Sequence, residues 1–204
     1  MDEWPIIKGD YVIGDKNSRI GIVTLASNFE LKPWELGNIA IIGSCKTENL
    51  GIEKTITNTV SNPNIRFILL CGEESRGHLS GHTLKAIHAN GIDENGKIIG
   101  SEGAIPFIEN ISENTIERFQ RQVRIIDRIG ETNIKNILQI AEEYGNKGEA
   151  YPEPPLVVQK VKRKRSRKTI SISTTKDIMI SEDVVLDSSN GVIEICSDSK
   201  KSKK

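Results

Sequence analysis

The stretch IRFILLCGEESRGHLSGHTLKAIHANG, residues 65–91, contains a complete strand–loop–helix unit. Its first seven residues form a nearly continuous apolar run, which is typical of a strand buried on both faces of a parallel sheet. A loop rich in Gly, Ser and charged residues follows. From Ser80 to Asn90 apolar residues recur at helical spacing, and Gly91 suits the position that ends a helix. The unit predicts an α/β domain.

The same alternation continues on both sides of this unit. The patterns predict strands over residues 20–25 and 39–42, and helices over residues 50–60, 114–129 and 131–144. Ser112 lies where an N-cap is expected for the helix at 114. Strands that alternate with helices along the chain indicate a mostly parallel sheet with flanking helices.

Charge and proline content divide the chain near residue 149. The 28 basic and 28 acidic residues balance overall, but residues 1–159 hold 16 basic and 22 acidic ones, and residues 160–168 hold seven basic residues. Three prolines within residues 152–155 predict an extended spacer. We therefore expect a domain at 1–148, a Pro-rich and basic linker at 149–168, and a β-rich tail at 169–204 with a hairpin turn at Asn190-Gly191.

The composition excludes several classes of protein. No apolar stretch reaches the ~20 residues that span a bilayer, and the N-terminus has no secretory signal, so we expect a cytoplasmic protein without a transmembrane segment. Cys45, Cys71 and Cys196 are too widely spaced for a disulfide framework or a Cys-x-x-Cys zinc site. The dinucleotide fingerprint, the P-loop and the nucleophile elbow are absent. A run of basic charge is usually solvated, so we do not expect residues 160–168 to bind nucleic acid specifically.

Four loops follow predicted strands or lie beside them, and all are rich in small residues. Ligands of parallel sheets bind at the carboxyl ends of strands, and small residues let a large ligand approach the backbone. The alternative is that these loops are ordinary turns. The candidate ligand-binding residues are Thr24, Leu25, Ala26, Ser27, Gly43, Cys45, Lys46, Thr47, Glu48, Asn49, Leu50, Gly72, Gly77, Gly103, Ala104, Ile105 and Pro106.

The three histidines of the chain lie within eleven residues. His78 belongs to the Gly-rich loop after a predicted strand, where a neutral imidazole is a natural ligand for a transition metal. His82 follows four residues later and is equally compatible with a metal-binding and a structural role. His88 lies on the apolar face of its helix, which favours a structural role. Cys45 could act as a nucleophile, but a small loop cysteine is more often inert.

Several blocks of sequence resemble one known family. They include Ser44-Cys-Lys-Thr-Glu-Asn-Leu-Gly-Ile-Glu-Lys54, Ser61-Asn-Pro-Asn-Ile-Arg-Phe67, His88-Ala-Asn-Gly91 and Gly103-Ala-Ile-Pro-Phe-Ile-Glu-Asn-Ile111. These blocks resemble the A subunit of the methanogen tetrahydromethanopterin S-methyltransferase, in one register over about residues 4–128. The resemblance implies a Rossmann-like α/β fold.

The resemblance also implies a function. The family's A subunit carries a corrinoid, 5-hydroxybenzimidazolylcobamide or cobalamin, whose cobalt takes a methyl group from methyl-tetrahydromethanopterin and passes it to coenzyme M. Its partners are the other methyltransferase subunits, so the protein could be peripheral to a membrane complex. The position that matches the family's axial cobalt ligand is His78. Other corrinoid methyltransferases carry an Asp two residues before this histidine, where Arg76 stands here, and we expect Glu73 or Glu74 to replace it.

One departure from the family pattern leaves alternatives open. Membrane-anchored members end in a C-terminal transmembrane helix, and this sequence lacks one. A soluble paralogue that carries a corrinoid for another methyltransferase therefore fits equally well. A non-enzymatic module that has lost the cofactor is a further alternative, and a nucleic-acid-associated protein is the third.

Overall fold

The computed structural model describes residues 4–158 and the backbone of four short strands between residues 171 and 195. It divides into two compact units, Met1–Lys162 and Arg163–Lys204. The first unit contains the helices and the sheet described below.

Five strands form the sheet of the first unit. They are β1 Tyr11–Ile13, β2 Ile20–Val23, β3 Ile41–Gly43, β4 Phe67–Gly72 and β5 Arg124–Ile129. Four of them run parallel, in the order β3-β2-β4-β5, and β1 pairs antiparallel with the outer edge of β3. The predicted α/β class with a mostly parallel sheet is therefore confirmed.

Helices cover both faces of this sheet. They are α1 Leu50–Val60, α2 Ser80–Asn90, α3 Glu113–Gln122 and α4 Ile134–Gly145. On one face, Val23, Ile68 and Leu70 pack with Ile52 of α1, Leu84 of α2 and Phe119 of α3. On the other face, Ile22 and Leu69 pack with Ile137 of α4. Burial on both faces explains why β2 and β4 are nearly continuous apolar runs.

The predicted helix over residues 114–129 is wrong in its second half. Helix α3 ends at Gln122, and Val123 is already extended at φ −117° and ψ 156°. The following residues form β5, an edge strand in register with β4 through pairs such as Ile68↔Ile125. The apolar residues of this stretch fit both a helical and a strand pattern, and pairing with β4 selects the strand. The expected cap is present, since the Ser112 hydroxyl accepts a hydrogen bond from Thr115 N–H at 3.3 Å.

Residues 151–158, which we call the strap, belong to the first unit and pack against the rest of it. Tyr151 N–H donates to the carbonyl of Pro63 at 2.8 Å, and Leu156 N–H donates to the carbonyl of Val60 at 3.0 Å. The buried guanidinium of Arg118 donates to the Glu153 carboxylate at 2.9 Å. The strap therefore packs on the C-terminal end of α1 and on α3.

The second unit contains an antiparallel meander in the order β6-β7-β8-β9. Its strands are β6 Ser171–Ile172, β7 Asp177–Ser181, β8 Val184–Asp187 and β9 Val192–Ile195. The basic run at 160–168, the turn at Asn190-Gly191 and Cys196 lie outside the described residues. Within the described part of the chain, no helix is long and apolar enough to cross a membrane, and α4 has only 12 residues.

Candidate functional site

The loops that follow β2, β3 and β4 meet at one edge of the sheet, because β3 and β4 flank β2. Backbone hydrogen bonds join the three loops: Cys45 N–H donates to the Leu25 carbonyl at 3.1 Å, and Ala26 N–H donates to the Glu73 carbonyl at 3.0 Å. The candidate residues of three separate segments are thus held side by side at the carboxyl edge, where parallel sheets bind ligands.

Two glycines permit this close approach. Gly72 has φ +79°, and a Cβ at this position would lie 2.4 Å from the Thr24 carbonyl oxygen. A Cβ on Gly103 would lie 2.6 Å from the carbonyl oxygen of His78. Both distances are shorter than any van der Waals contact, so the residues at these positions must be glycine for the loops to touch.

The centre of the site is a pair formed by His78 and Glu48. Nδ1 of His78 lies 2.6 Å from Oε2 of Glu48, and the side chains are 49% and 1% exposed, respectively. The second carboxylate oxygen, Oε1, accepts a hydrogen bond from Ile105 N–H at 2.6 Å. Burial alone would raise the pKa of Glu48, but hydrogen bonds from its own backbone amide, from Ile105 and from His78 together hold that pKa below its usual value. The carboxylate is therefore ionised near neutral pH.

This pairing decides which ring nitrogen can bind a ligand. An ionised carboxylate only accepts hydrogen bonds, so Nδ1 of His78 carries a hydrogen and donates a hydrogen bond to Glu48. In the neutral form of this imidazole, which is half exposed, the lone pair is therefore on Nε2. Histidines that bind metals commonly donate their other N–H to a carboxylate, which fixes the ring and raises its basicity. His78 and Glu48 have this arrangement of ring and carboxylate.

The expectation that Glu73 or Glu74 would orient His78 is wrong, because the carboxylate that contacts His78 is that of Glu48. The Glu74 carboxylate instead caps α2, accepting hydrogen bonds from Gly81 N–H at 3.0 Å and His82 N–H at 2.7 Å. Glu73 is exposed, and its backbone N–H donates to the Ser27 hydroxyl. The residue that does contact His78 comes from the loop after a different strand. An acidic residue in the neighbouring strand-end loop is the only signal in the sequence that could have suggested it.

The segment around His78 is tied to the loop after β3. Ser75 hydroxyl donates to the Lys46 carbonyl at 2.8 Å, and Ser80 hydroxyl donates to the Cys45 carbonyl. Between them, Gly77 and Leu79 both have positive φ angles, of 76° and 46°. A leucine in the left-handed region is uncommon, and such residues cluster at functional sites. These contacts position His78 at the start of α2.

The other two histidines do not join His78 in a cluster. Nδ1 of His82 faces the backbone N–H of Glu102 at 3.5 Å, a long and weak contact. His88 donates through Nε2 to the Val123 carbonyl at 2.9 Å and its ring meets the Phe119 ring edge-on, which is a structural role. Across residues 4–158, no group of three His, Cys, Asp or Glu side chains is placed to hold a metal ion.

Cys45 lies within the site but is not placed to react. Its side chain is buried, and this burial raises the pKa of its thiol to about 12. Cys71 is also buried, with a pKa raised to about 12 for the same reason. A thiol with such a pKa stays protonated at neutral pH, and the thiolate is the nucleophilic form. The structure therefore favours a packing role for Cys45.

A cavity of about 350 Å³ opens between α1 and the sheet next to this edge. Gly21, Val23 and Ile68 lie on its sheet side, and Lys54 and Thr55 of α1 lie opposite. Five of the candidate residues line it: Gly43, Cys45, Lys46, Thr47 and Leu50. His78 does not line the cavity.

The remaining candidates have local roles or lie beside the pair. Thr24 hydroxyl donates to the Ser27 carbonyl at 2.9 Å, and the Asn49 side chain caps α1 by accepting from Leu50 N–H at 2.7 Å. Pro106 is buried and its carbonyl accepts from Ile98 N–H, whereas Ala104 is exposed. The structure thus brings together the loops that sequence analysis selected, around a cavity and an adjacent His–Glu pair.

The fold and this site define an α/β domain that presents a carboxylate-paired imidazole at the carboxyl edge of its sheet. Residues 1–168 match the family model for the A subunit of tetrahydromethanopterin S-methyltransferase. The chain therefore belongs to the family of tetrahydromethanopterin S-methyltransferase A subunits, and the resemblance seen in the sequence is confirmed.

Individual relatives from methanogens support this assignment. The A subunit of the putative methyltransferase Mtx from Methanosarcina barkeri is 56% identical over 192 residues, which are 94% of each chain. Methanothermobacter thermautotrophicus has two tetrahydromethanopterin S-methyltransferase A subunits, numbered 1 and 2, among the relatives. Number 2 is 47% identical over 160 residues, 78% of this chain and 87% of the relative. Number 1 is 54% identical over 127 residues, 62% of this chain and 53% of the relative.

Proposed function

We propose that this chain is the corrinoid-carrying subunit of a methyltransferase, with Nε2 of His78 as the lower axial ligand of the cobalt. The observation that carries the proposal is the half-exposed His78 imidazole whose Nδ1 is held by the buried Glu48 carboxylate. In the neutral imidazole this pairing places the lone pair on Nε2, at the carboxyl edge of the sheet.

The ligands that the chain offers fit a corrinoid better than a free metal ion. A free transition-metal ion bound by protein usually takes three or four side-chain ligands. Within residues 4–158 no such group exists, and His78 stands as a single imidazole. A macrocycle fills the equatorial positions of its own metal, so one axial imidazole is sufficient. The cavity between α1 and the sheet offers further room beside the loop that contains Lys46.

In this proposal each residue has a defined task. The bound cobalt would supply the nucleophile that accepts a methyl group and the leaving group that releases it. His78 would bind the cofactor from below, and Glu48 would keep the imidazole oriented and electron-rich. Gly103 would allow residues 101–106 to lie against His78. The methyl donor would be methyl-tetrahydromethanopterin and the acceptor coenzyme M, both reached through partner subunits.

A second candidate is a paralogue that carries a corrinoid for a different methyltransferase. It is favoured by the relatives named as putative methyltransferase Mtx, since two of them are 55–56% identical over 94% of both chains. The tetrahydromethanopterin S-methyltransferase relative numbered 1 aligns with only 62% of this chain. The two candidates share the cofactor site and differ in donor, acceptor and partners.

A cobalamin titration tests the shared part of both candidates. Purified protein is titrated with aquocobalamin and followed by visible absorption, with His78→Ala as the test variant and His82→Ala as the matched control. We expect saturable binding and a histidine-bound spectrum for the wild type and for His82→Ala, and loss of that spectrum for His78→Ala. Equal spectra for the wild type and His78→Ala would contradict the ligand role, and no binding by the wild type would indicate a module without the cofactor.

A second experiment separates the two candidates. The protein loaded with methylcobalamin is mixed with coenzyme M and the other subunits of tetrahydromethanopterin S-methyltransferase, and demethylation is followed by absorption. Demethylation that depends on those subunits supports the first candidate. Stable methylcobalamin in a protein that passes the binding test supports the paralogue.

A further inference from the structure

We propose that Glu48 couples His78 to residues 101–108, so that binding of a metal at Nε2 of His78 changes the hydrogen bond that holds Ile105. The part of this proposal that concerns the cofactor rests on the proposed function. Glu48 uses both carboxylate oxygens, one for His78 Nδ1 and one for Ile105 N–H, each at 2.6 Å. The two donors therefore share one negative charge. A change in one hydrogen bond must alter the other.

The direction of this coupling follows from elementary electrostatics. A metal cation bound at Nε2 makes the Nδ1–H of the imidazole a stronger donor. The Glu48 carboxylate then polarises towards His78, and its hydrogen bond to Ile105 N–H weakens. Water has little access to the Glu48 side of this bond, because the Glu48 side chain is only 1% exposed. The backbone at residue 105, which is exposed, can adjust its position in response.

Residues 101–108 are held at both ends, so a weaker Ile105 hydrogen bond would affect the exposed middle of the segment. The segment is anchored by the hydrogen bond between Ser101 and Thr83 hydroxyls at 2.7 Å, and by Ile108 N–H, which donates to the Gly96 carbonyl at 2.8 Å. Between these anchors Ile105 has a half-exposed side chain. Weakening its N–H bond would alter the surface next to His78, where a donor or acceptor of the transferred group must approach.

A neighbouring interaction provides an internal control. The Glu53 carboxylate, buried on α1, accepts from Glu109 N–H at 2.6 Å, from Asn110 N–H at 2.9 Å and from the Asn110 side-chain amide at 2.7 Å. The first two are also backbone N–H bonds to a buried carboxylate, but Glu53 does not hydrogen-bond to His78. Their strength should be independent of what happens at His78.

The first experiment needs no cofactor. NMR measures the scalar coupling across the hydrogen bond between Ile105 nitrogen and the Glu48 carboxylate carbon, in the wild type and in His78→Phe. Phenylalanine keeps an aromatic ring but donates no hydrogen bond, so we expect the Ile105 coupling to rise while the Asn110–Glu53 coupling stays constant. An unchanged Ile105 coupling, or an equal change in both couplings, would overturn the proposal.

The second experiment adds aquocobalamin to the wild type. We expect the Ile105 coupling to fall by up to about half, the limit in which its hydrogen bond keeps no charge assistance, with no change at Asn110. If absorption shows histidine-bound cobalamin and the Ile105 coupling is unaltered, the coupling proposal fails and the proposed function stands. If cobalamin does not bind, the proposed function fails and the first experiment alone decides the coupling.

Discussion

Gly103 lies so close to His78 that a Cβ built on the glycine would stand 2.6 Å from the histidine's carbonyl oxygen and 2.9 Å from Cγ of Glu48. The neighbours on that side are a backbone atom and a buried side chain, and neither can move away cheaply. The absence of a side chain at residue 103 is therefore a requirement of the site.

The first prediction concerns this contact. Gly103→Ala should lower the free energy of unfolding by about 2–3 kcal/mol, the cost of overpacking a close contact. Gly77→Ala is the control, because Gly77 has φ +76° and open space around it, so it should lose only about 1 kcal/mol from backbone strain. Urea denaturation measures both values. A smaller loss of unfolding free energy for Gly103→Ala than for Gly77→Ala would contradict the close approach of Gly103 to His78.

The second prediction is a pH dependence that arises from Glu48. Its pKa is lower in the folded protein than the ordinary value of 4.5, so its stabilising contribution is present above pH 4.5 and is lost as the pH falls through the folded pKa. The difference in unfolding free energy between wild type and Glu48→Gln should therefore be largest near neutrality and shrink in acid. Urea denaturation from about pH 3 to pH 7 measures it. A difference that does not vary with pH would disprove the assignment.

The third prediction concerns the strap at residues 151–158. Arg118→Met should destabilise the protein by about 2–3 kcal/mol, because carbonyls of the strap and the Gln122 side chain lose a buried donor. Glu153→Gln should cost less than about 0.5 kcal/mol, because Glu153 is 52% exposed and its ion pair is screened by water. Unfolding free energies and the rate of proteolysis near residue 155 distinguish the two variants. Equal losses would show that the ion pair, and not the buried donor, holds the strap.

The fourth prediction concerns thiol chemistry. In a Cys196→Ser variant, Cys45 and Cys71 should not react with Ellman's reagent at neutral pH in the native protein, because both are buried and their thiols have pKa values of about 12. Both should react after unfolding in urea. Rapid reaction of Cys45 in the native state would reopen its role as a nucleophile.

The helices α1 and α2 show how much local sequence can predict. Their bounds, Leu50–Val60 and Ser80–Asn90, coincide with the predicted ranges. Local interactions mark one end of each helix: the Asn49 side chain caps the start of α1, and Gly91 adopts φ +71° at the end of α2. Such signals lie within a few residues of the element that they control. β5 was missed for the opposite reason, since its hydrogen-bond partners lie on β4, more than fifty residues earlier.

The sequence by itself determined the α/β class, the loops that form the site and the choice of His78 as the candidate ligand. Strand periodicity and small-residue loops are local properties, and they can be recognised without coordinates. Only the tertiary structure decided that Glu48, and neither Glu73 nor Glu74, holds His78, and that the same carboxylate bonds to Ile105. The reason is physical: the order of strands in the sheet, which places the loop after β3 beside the loop after β4, follows from packing across the whole domain.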